Sequence, residues 1–315
     1  MSGPEHLGDG IYVFDSAYLR PQMDAIHLIV EAGRVAIVDT GTAASVSRAL
    51  AALDELGLAP ESVDWVLLTH VHLDHAGGAG ALMRALPVAQ LLVHPRGVRH
   101  MIDPSRLWAG TVAVYGEDFA RTVYGELLPV DARRIVEAQD GMQIRLAGRS
   151  VEVMDAPGHA RHHVCYYDAV SRGWFTGDSF GLSYREIHVG DRAFVFPATT
   201  PVQFDPGALH ASIERMLARE PLQMYLTHYS RVREPARLAA DLHRLIDAFV
   251  GIAQGVENVD DDNQRAMIRA ALEALLRQEA AEQGWAVQGH AAVAVHAEDL
   301  DLNAQGLQVW LKGQE

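Results

Sequence analysis

Thr69-His70-Val71-His72-Leu73-Asp74-His75 constrains this chain more than any other stretch. It follows directly on Trp65–Leu68, an apolar run whose length and content predict a short buried strand. A loop leaving a strand end can aim several side chains at one point. Imidazole and carboxylate are the donors that suit Zn, Fe or Mn. The string could serve two ions, but it completes the donor set of neither, so further ligands must come from elsewhere in the chain.

Three later segments have the right form, each just after a predicted strand. Pro157-Gly158-His159 follows Val151–Met154, and a glycine there lets the backbone turn so that His159 points inward. Thr176-Gly177-Asp178 follows Gly173–Phe175, and Leu226-Thr227-His228 ends the run Gln223–Leu226. Any one of them alone reads as an ordinary capped or surface residue. Their shared context is what carries weight.

The rest of the chain supplies a frame. Ile11–Phe14, Ile26–Glu31, Val35–Asp39, Gln90–Val93 and His163–Tyr167 read as further strands, and 43–56 as an amphipathic helix capped by Thr42. Shorter helices are expected near Gly78–Ala85 and over Pro206–Arg219. Residues 103–140, with Trp108, Tyr115 and Tyr124, read as a helical insertion. After Arg233 the pattern changes to long Ala/Leu/Arg helices, Glu234–Gly251 and Asp262–Glu282, with another near Leu302–Leu311. A boundary near residue 232 divides a catalytic domain, 1–231, from a helical region, 232–315. Asp260, Asp261 and Asp262 sit at a helix start and read as capping acids.

Composition narrows the partners. Forty-one acidic against 26 basic residues give a net charge of −15, which repels phosphate backbones and argues against nucleic acid. The single cysteine, Cys165, excludes an internal disulfide and reads as a small buried hydrophobe. No apolar run reaches the length that spans a bilayer, and Met1 to Asp9 lacks the form of a signal peptide. The expectation is a soluble cytoplasmic protein acting on a small molecule, with neither nucleic acid nor membrane as partner.

Asp39-Thr40-Gly41, the His70–His75 string, His159, Asp178 and His228 stand in one order over roughly residues 8 to 231. In this the chain resembles the metallo-β-lactamase superfamily. The resemblance implies an α/β fold, a four-layered αββα sandwich, here with a C-terminal helical appendage. It implies two divalent metal ions, Zn with Fe or Mn as alternatives. His70, His72 and His159 would hold one ion, and Asp74, His75 and His228 the other, with Asp178 bridging. Asp39 and His163 would orient ligands rather than bind. Paired ions lower the pKa of water toward 7 and polarise a carbonyl, so Asp74 and Asp178 would serve catalysis as well as binding.

Within that superfamily the glyoxalase II-like branch fits best, which implies a hydrolase for a small acyl ester or thioester. The helical region is similar in placement to that of a quinolone-signal thioesterase. Alternatives are a mononuclear iron dioxygenase acting on persulfides, a lactonase or β-lactamase-like hydrolase, and a non-catalytic metal-bound regulatory protein. Tyr184, in the loop Ser179–Phe196, is a candidate donor to a developing oxyanion. Arg231, Arg233, Arg237 and Arg244 could meet an anionic substrate tail or form solvated helix faces. His94, His100, His210, His243, His290 and His296 read as surface or capping residues. The Ala- and Leu-rich C-terminal helices make a homodimer an expectation.

Overall fold

The computed structural model describes residues 3–199 and 202–313. They fall into two compact units. The first comprises Met1–Asp155, His162–Gly177 and Leu222–Arg231, and the second Ala156–Arg161, Asp178–Pro221 and Val232–Glu315.

A seven-stranded sheet runs in sequence order: β1 (Glu5–Gly8), β2 (Ile11–Asp15), β3 (Ala25–Glu31), β4 (Arg34–Val38), β5 (Val63–Leu67), β6 (Gln90–Val93) and β7 (Ile135–Glu137). β1 to β4 pair antiparallel. β4 to β7 pair parallel, which demands long crossovers. Six α-helices of this unit fall in those crossovers: α1 (Val46–Glu55), α2 (Leu73–Ala76), α3 (Ala79–Ala85), α4 (Pro95–Ile102), α5 (Ser105–Tyr115) and α6 (Glu117–Tyr124). A second sheet has the order β13-β12-β11-β10-β9-β8, with β8 (Gln143–Leu146), β9 (Arg149–Asp155), β10 (Val164–Asp168), β11 (Gly173–Gly177), β12 (Gln223–Leu226) and β13 (Ser230–Arg233).

The first sheet packs its apolar face on α1 and α3. Leu28, Val35, Ile37, Val66 and Leu91 meet Ala49, Leu53, Leu82 and Met83 there. Each fully buried aliphatic side chain of this kind contributes about 1.5–3 kcal/mol. Facing strand ends carry the loops of interest, because β4, β5, β11 and β12 each stop at one of the motifs. One ion pair lies wholly inside this unit. The Arg149 guanidinium forks onto Asp168 at 2.8 and 2.6 Å, with both side chains sealed from solvent.

The second unit contains α7 (Pro206–Leu217), α8 (Pro235–Gln254), α9 (Asp261–Gln283), α10 (His290–Val295) and α11 (Ala297–Lys312). α8 buries Leu238, Leu242, Leu245, Ile246 and Phe249, which recur at helical spacing on one face. Asp260 caps α9 by accepting from the Asn263 amide. Arg244 forks onto Glu279, tying α8 to α9, and Arg269 bonds Asp301, tying α9 to α11.

The α/β fold with two sheets, flanking helices and C-terminal helices is the expected one. Several elements differ from the sequence reading. The segment 43–56 opens with a 3₁₀ turn, Ala43–Ser45, before α1 begins. The 103–140 segment is not helical throughout, since it ends in the edge strand β7. α4, β1, β8 and β13 were absent from the expectation; the three strands are only four residues long and lie at sheet margins. Among the described residues no helix is long and apolar enough to cross a membrane.

Candidate metal centre

In the first unit the site is built outward from Asp39. This residue ends β4 with a φ of +60°, a left-handed conformation that turns its carboxylate back across the strand ends. There it is fully buried and accepts four donors. The Thr69 amide lies 2.8 Å away, the hydroxyls of Thr69 and Thr227 at 3.0 Å, and His75 Nδ1 at 2.8 Å. Asp39 therefore ties the loop after β5 to the end of β12. Its oxygens are taken up by these donors, His75 among them.

A carboxylate can only accept, so His75 carries its hydrogen on Nδ1 and presents the Nε2 lone pair. The same logic fixes His228. Its Nδ1 lies 2.7 Å from Asp24 Oδ1, leaving Nε2 directed away. Asp74 Oδ2 then sits 3.4 Å from His75 Nε2 and 3.7 Å from His228 Nε2. Asp74, His75 and His228 each offer one ligand atom, and these atoms all lie within 4.8 Å of one another. An imidazole held through Nδ1 by a buried carboxylate, as His75 is by Asp39, is the arrangement that metal-ligating histidines adopt almost everywhere.

Asp24 was not anticipated. Burial pushes its carboxyl up to about 6, against the pull of His228. Its sequence surroundings, Pro21-Gln22-Met23-Asp24, look like an ordinary polar turn, so nothing local marks it.

His70 and His72 lie beside this cluster, with His70 Nε2 2.9 Å from His72 Nδ1. The His163 ring stacks on His70, centroids 4.8 Å apart, as a supporting residue would. His162, whose direction the sequence left open, turns toward the same imidazoles, 5.5 Å from the His72 ring. Gly177 makes room for this packing. A Cβ there would lie 2.5 Å from His163 Nε2 and 2.7 Å from the Thr69 hydroxyl. Cys165 is buried on β10, as expected. Tyr18 and Tyr124 share a hydrogen bond of 2.8 Å, and burial followed by the negative charge of Asp74 raises the Tyr18 hydroxyl well above its usual range.

The second unit holds His159 and Asp178 as a pair, Nε2 to Oδ2 at 3.3 Å, both buried. His159 Nδ1 bonds the Ala198 carbonyl at 3.0 Å, which again leaves Nε2 as the presented nitrogen. Gly158 does what its position suggested. It has a φ of +134°, and any Cβ would meet the Leu209 backbone nitrogen at 2.4 Å.

Tyr184 requires a correction. Its hydroxyl donates to Asp299 Oδ1 at 3.1 Å, and the residue is completely buried against His296. A hydroxyl has one hydrogen, so this one is committed to α11 and is not offered to an oxyanion. Three histidines read as surface residues also differ. His296 is fully buried, its Nδ1 on the Ala292 carbonyl, and His210 and His243 stack on each other. His94 caps α4 as expected. Three of the four arginines find internal partners: Arg231 on the Leu7 carbonyl, Arg237 on Glu234 and the Ala193 carbonyl, Arg244 on Glu279; Arg233 is exposed.

Residues 21–228 match the family model described as the metallo-beta-lactamase superfamily. The chain belongs to that superfamily. Hydroxyacylglutathione hydrolase of Aeromonas hydrophila is 29% identical over 193 residues, which cover 61% of this chain and 56% of that enzyme. The chain thus matches little more than half the length of that relative. A metallo-beta-lactamase fold-containing protein of Sulfurisphaera tokodaii, ST1585, is 26% identical over 212 residues, 66% of this chain and 73% of that protein. The crystal structure of ST1585 superimposes with a TM-score of 0.64 at 20% identity, covering 96% of this chain and 99% of that one. TTHA1429 from Thermus thermophilus gives 0.64 at 20% identity, covering 98% and 95%. These structural likenesses establish the metallo-β-lactamase fold. The family match, with a donor set of imidazoles and carboxylates, supports a metal-binding hydrolase in general terms.

Proposed function

We propose that the protein is a dinuclear metallohydrolase that cleaves a small acyl ester or thioester. The observation that carries the reading is the Asp74, His75 and His228 cluster, whose imidazoles are both pre-oriented through Nδ1. Two neutral imidazoles and a carboxylate suit a Zn, Fe or Mn ion. His70 and His72, with His159, would hold a first ion, Asp74, His75 and His228 a second, and Asp178 would bridge. When bound, such ions supply Lewis acidity and an acidified water.

The chain's own residues do the positioning. Asp39 and Asp24 fix the ring orientations of His75 and His228. Asp74 and Asp178 would offset the charge of bound cations and, as carboxylates, could accept hydrogen bonds from a water held there. Tyr18 and Tyr124 are buried and hydrogen-bonded to each other, close enough to Asp74 for its charge to help raise both hydroxyls. The acyl substrate class is supported by the resemblance to hydroxyacylglutathione hydrolase, a name that belongs to that relative. A cytoplasmic setting is part of the same reading and agrees with a lone buried cysteine.

The test is a panel of glutathione thioesters, simple thioesters, lactones and β-lactams, run with metal-loaded protein and with Asp178→Ala. Thioester turnover that Asp178→Ala abolishes supports the proposal. No turnover of any member overturns it. The Asp74, His75 and His228 cluster, which a mononuclear site on His70, His72 or His159 and Asp178 would not need, favours a dinuclear site over a mononuclear iron dioxygenase. Oxygen uptake with glutathione persulfide would reverse that preference.

A further inference from the structure

Outside the ligand motifs, α7 and α8 set four side chains in a row. His210 and Glu214 are one helical turn apart on α7, and His243 and Asp247 one turn apart on α8. The two rings stack with centroids 4.8 Å apart. Their Nδ1 atoms face each other at 2.6 Å. His210 Nε2 lies 3.1 Å from Asp247 Oδ1, and His243 Nε2 lies 2.9 Å from Glu214 Oε1.

Hydrogen counting decides what this row is. Both outer partners are carboxylates, which only accept, so each Nε2 carries a hydrogen. Two inner nitrogens at 2.6 Å have room for one hydrogen between them. The row therefore reads carboxylate, imidazole, shared hydrogen, imidazole, carboxylate. Replacing that hydrogen with a cation yields two imidazole ligands, each holding a carboxylate through its other nitrogen, the usual support of a bound metal.

We propose that His210 and His243 form a separate binding site for a divalent cation of the Zn class, clipping α7 to α8. The site is independent of the hydrolase reading and uses none of its residues. Two nitrogens on a tetrahedral ion with bonds of about 2.0–2.1 Å stand about 3.3 Å apart, so the rings separate by roughly 0.7 Å on binding. The space is available: the His210 and His243 side chains are 29% and 23% exposed, and water can fill the remaining positions. The shared hydrogen leaves to solvent as a proton.

The experiment is equilibrium dialysis of the full chain against Zn2+, with thermal unfolding in parallel. The double variant His210→Gln, His243→Gln should bind one equivalent fewer than the wild type and lose part of the Zn-dependent rise in Tm. Its hydrolase activity should not change. The double variant Glu214→Gln, Asp247→Asn should keep the equivalent but bind it about 10–100-fold more weakly. Those acidic side chains are largely exposed, so this second variant tests the site even if the histidine variant does not fold. Unchanged stoichiometry in the first variant, or unchanged affinity in the second, overturns the proposal.

Discussion

Asp39 Oδ2 accepts the Nδ1 hydrogen of His75 across 2.8 Å, inside a pocket closed to water. This contact couples the fold to the site, because the same carboxylate also accepts from Thr69 and Thr227. Asp39→Ala should weaken metal binding by about 10–100-fold. It should also lower Tm, since each orphaned buried donor costs about 1–3 kcal/mol. Competition with a chromophoric chelator and a melting curve read the two effects separately, and normal metal affinity would remove Asp39 from its orienting role.

Asp24 makes a sharper case, having fewer partners in the fold. Asp24→Asn preserves shape but no longer compels His228 to carry its hydrogen on Nδ1. One of two bound equivalents should weaken by about tenfold or more while the other is unaffected. Stepwise metal titration followed by calorimetry measures this. Equal weakening of both equivalents would mean that Asp24 acts on the fold rather than on His228.

The buried Arg149–Asp168 pair predicts an acid limb in stability. Burial pushes the Asp168 carboxyl up, but hydrogen bonds from Arg149 and Ser171 outweigh it and hold the group below its usual range. A carboxyl depressed in the folded state contributes its stability above the unfolded pKa, about 3.9, and loses it as pH falls through the lower folded value. Asp168→Asn leaves the guanidinium uncompensated and should cost about 3–5 kcal/mol near neutral pH. Its denaturant-derived stability should vary less than that of the wild type below pH of about 4.

Tyr184 separates packing from chemistry. Tyr184→Phe should leave kcat and metal content unchanged while costing about 1–3 kcal/mol, because Asp299 loses its donor in a buried setting. A fall in kcat with unaltered stability would restore the tyrosine to the reaction.

The candidate ligand residues are legible as a group because each lies at a strand end and most sit in a short string. Gly158 was legible for a related reason, since the turn after its strand demands it, whereas the close packing at Gly177 comes from His163 and Thr69 and had no local sign. Asp24 was not, because its role depends on His228 at the far end of the catalytic region, and neither neighbourhood announces the other. His296 was misread because its burial comes from Tyr184, Phe196 and Trp285, partners gathered by tertiary packing. His210 and His243 sit on separate helices at ordinary surface spacing, and only the packing of α7 on α8 sets their rings together. Edge strands such as β1 and β7 escaped because three or four half-exposed residues carry no reliable period.

On the proposed function, His70, His72 and His159 would hold one cation and Asp74, His75 and His228 a second, with Asp178 between them. Anomalous difference maps from crystals of the metal-loaded protein, collected across the Zn, Fe and Mn edges, test it most directly. Two peaks about 3.5–4 Å apart, each ligated by its named set, are the predicted result. No peak at these residues, or a single ion with Asp74, His75 and His228 turned away from it, would contradict the account.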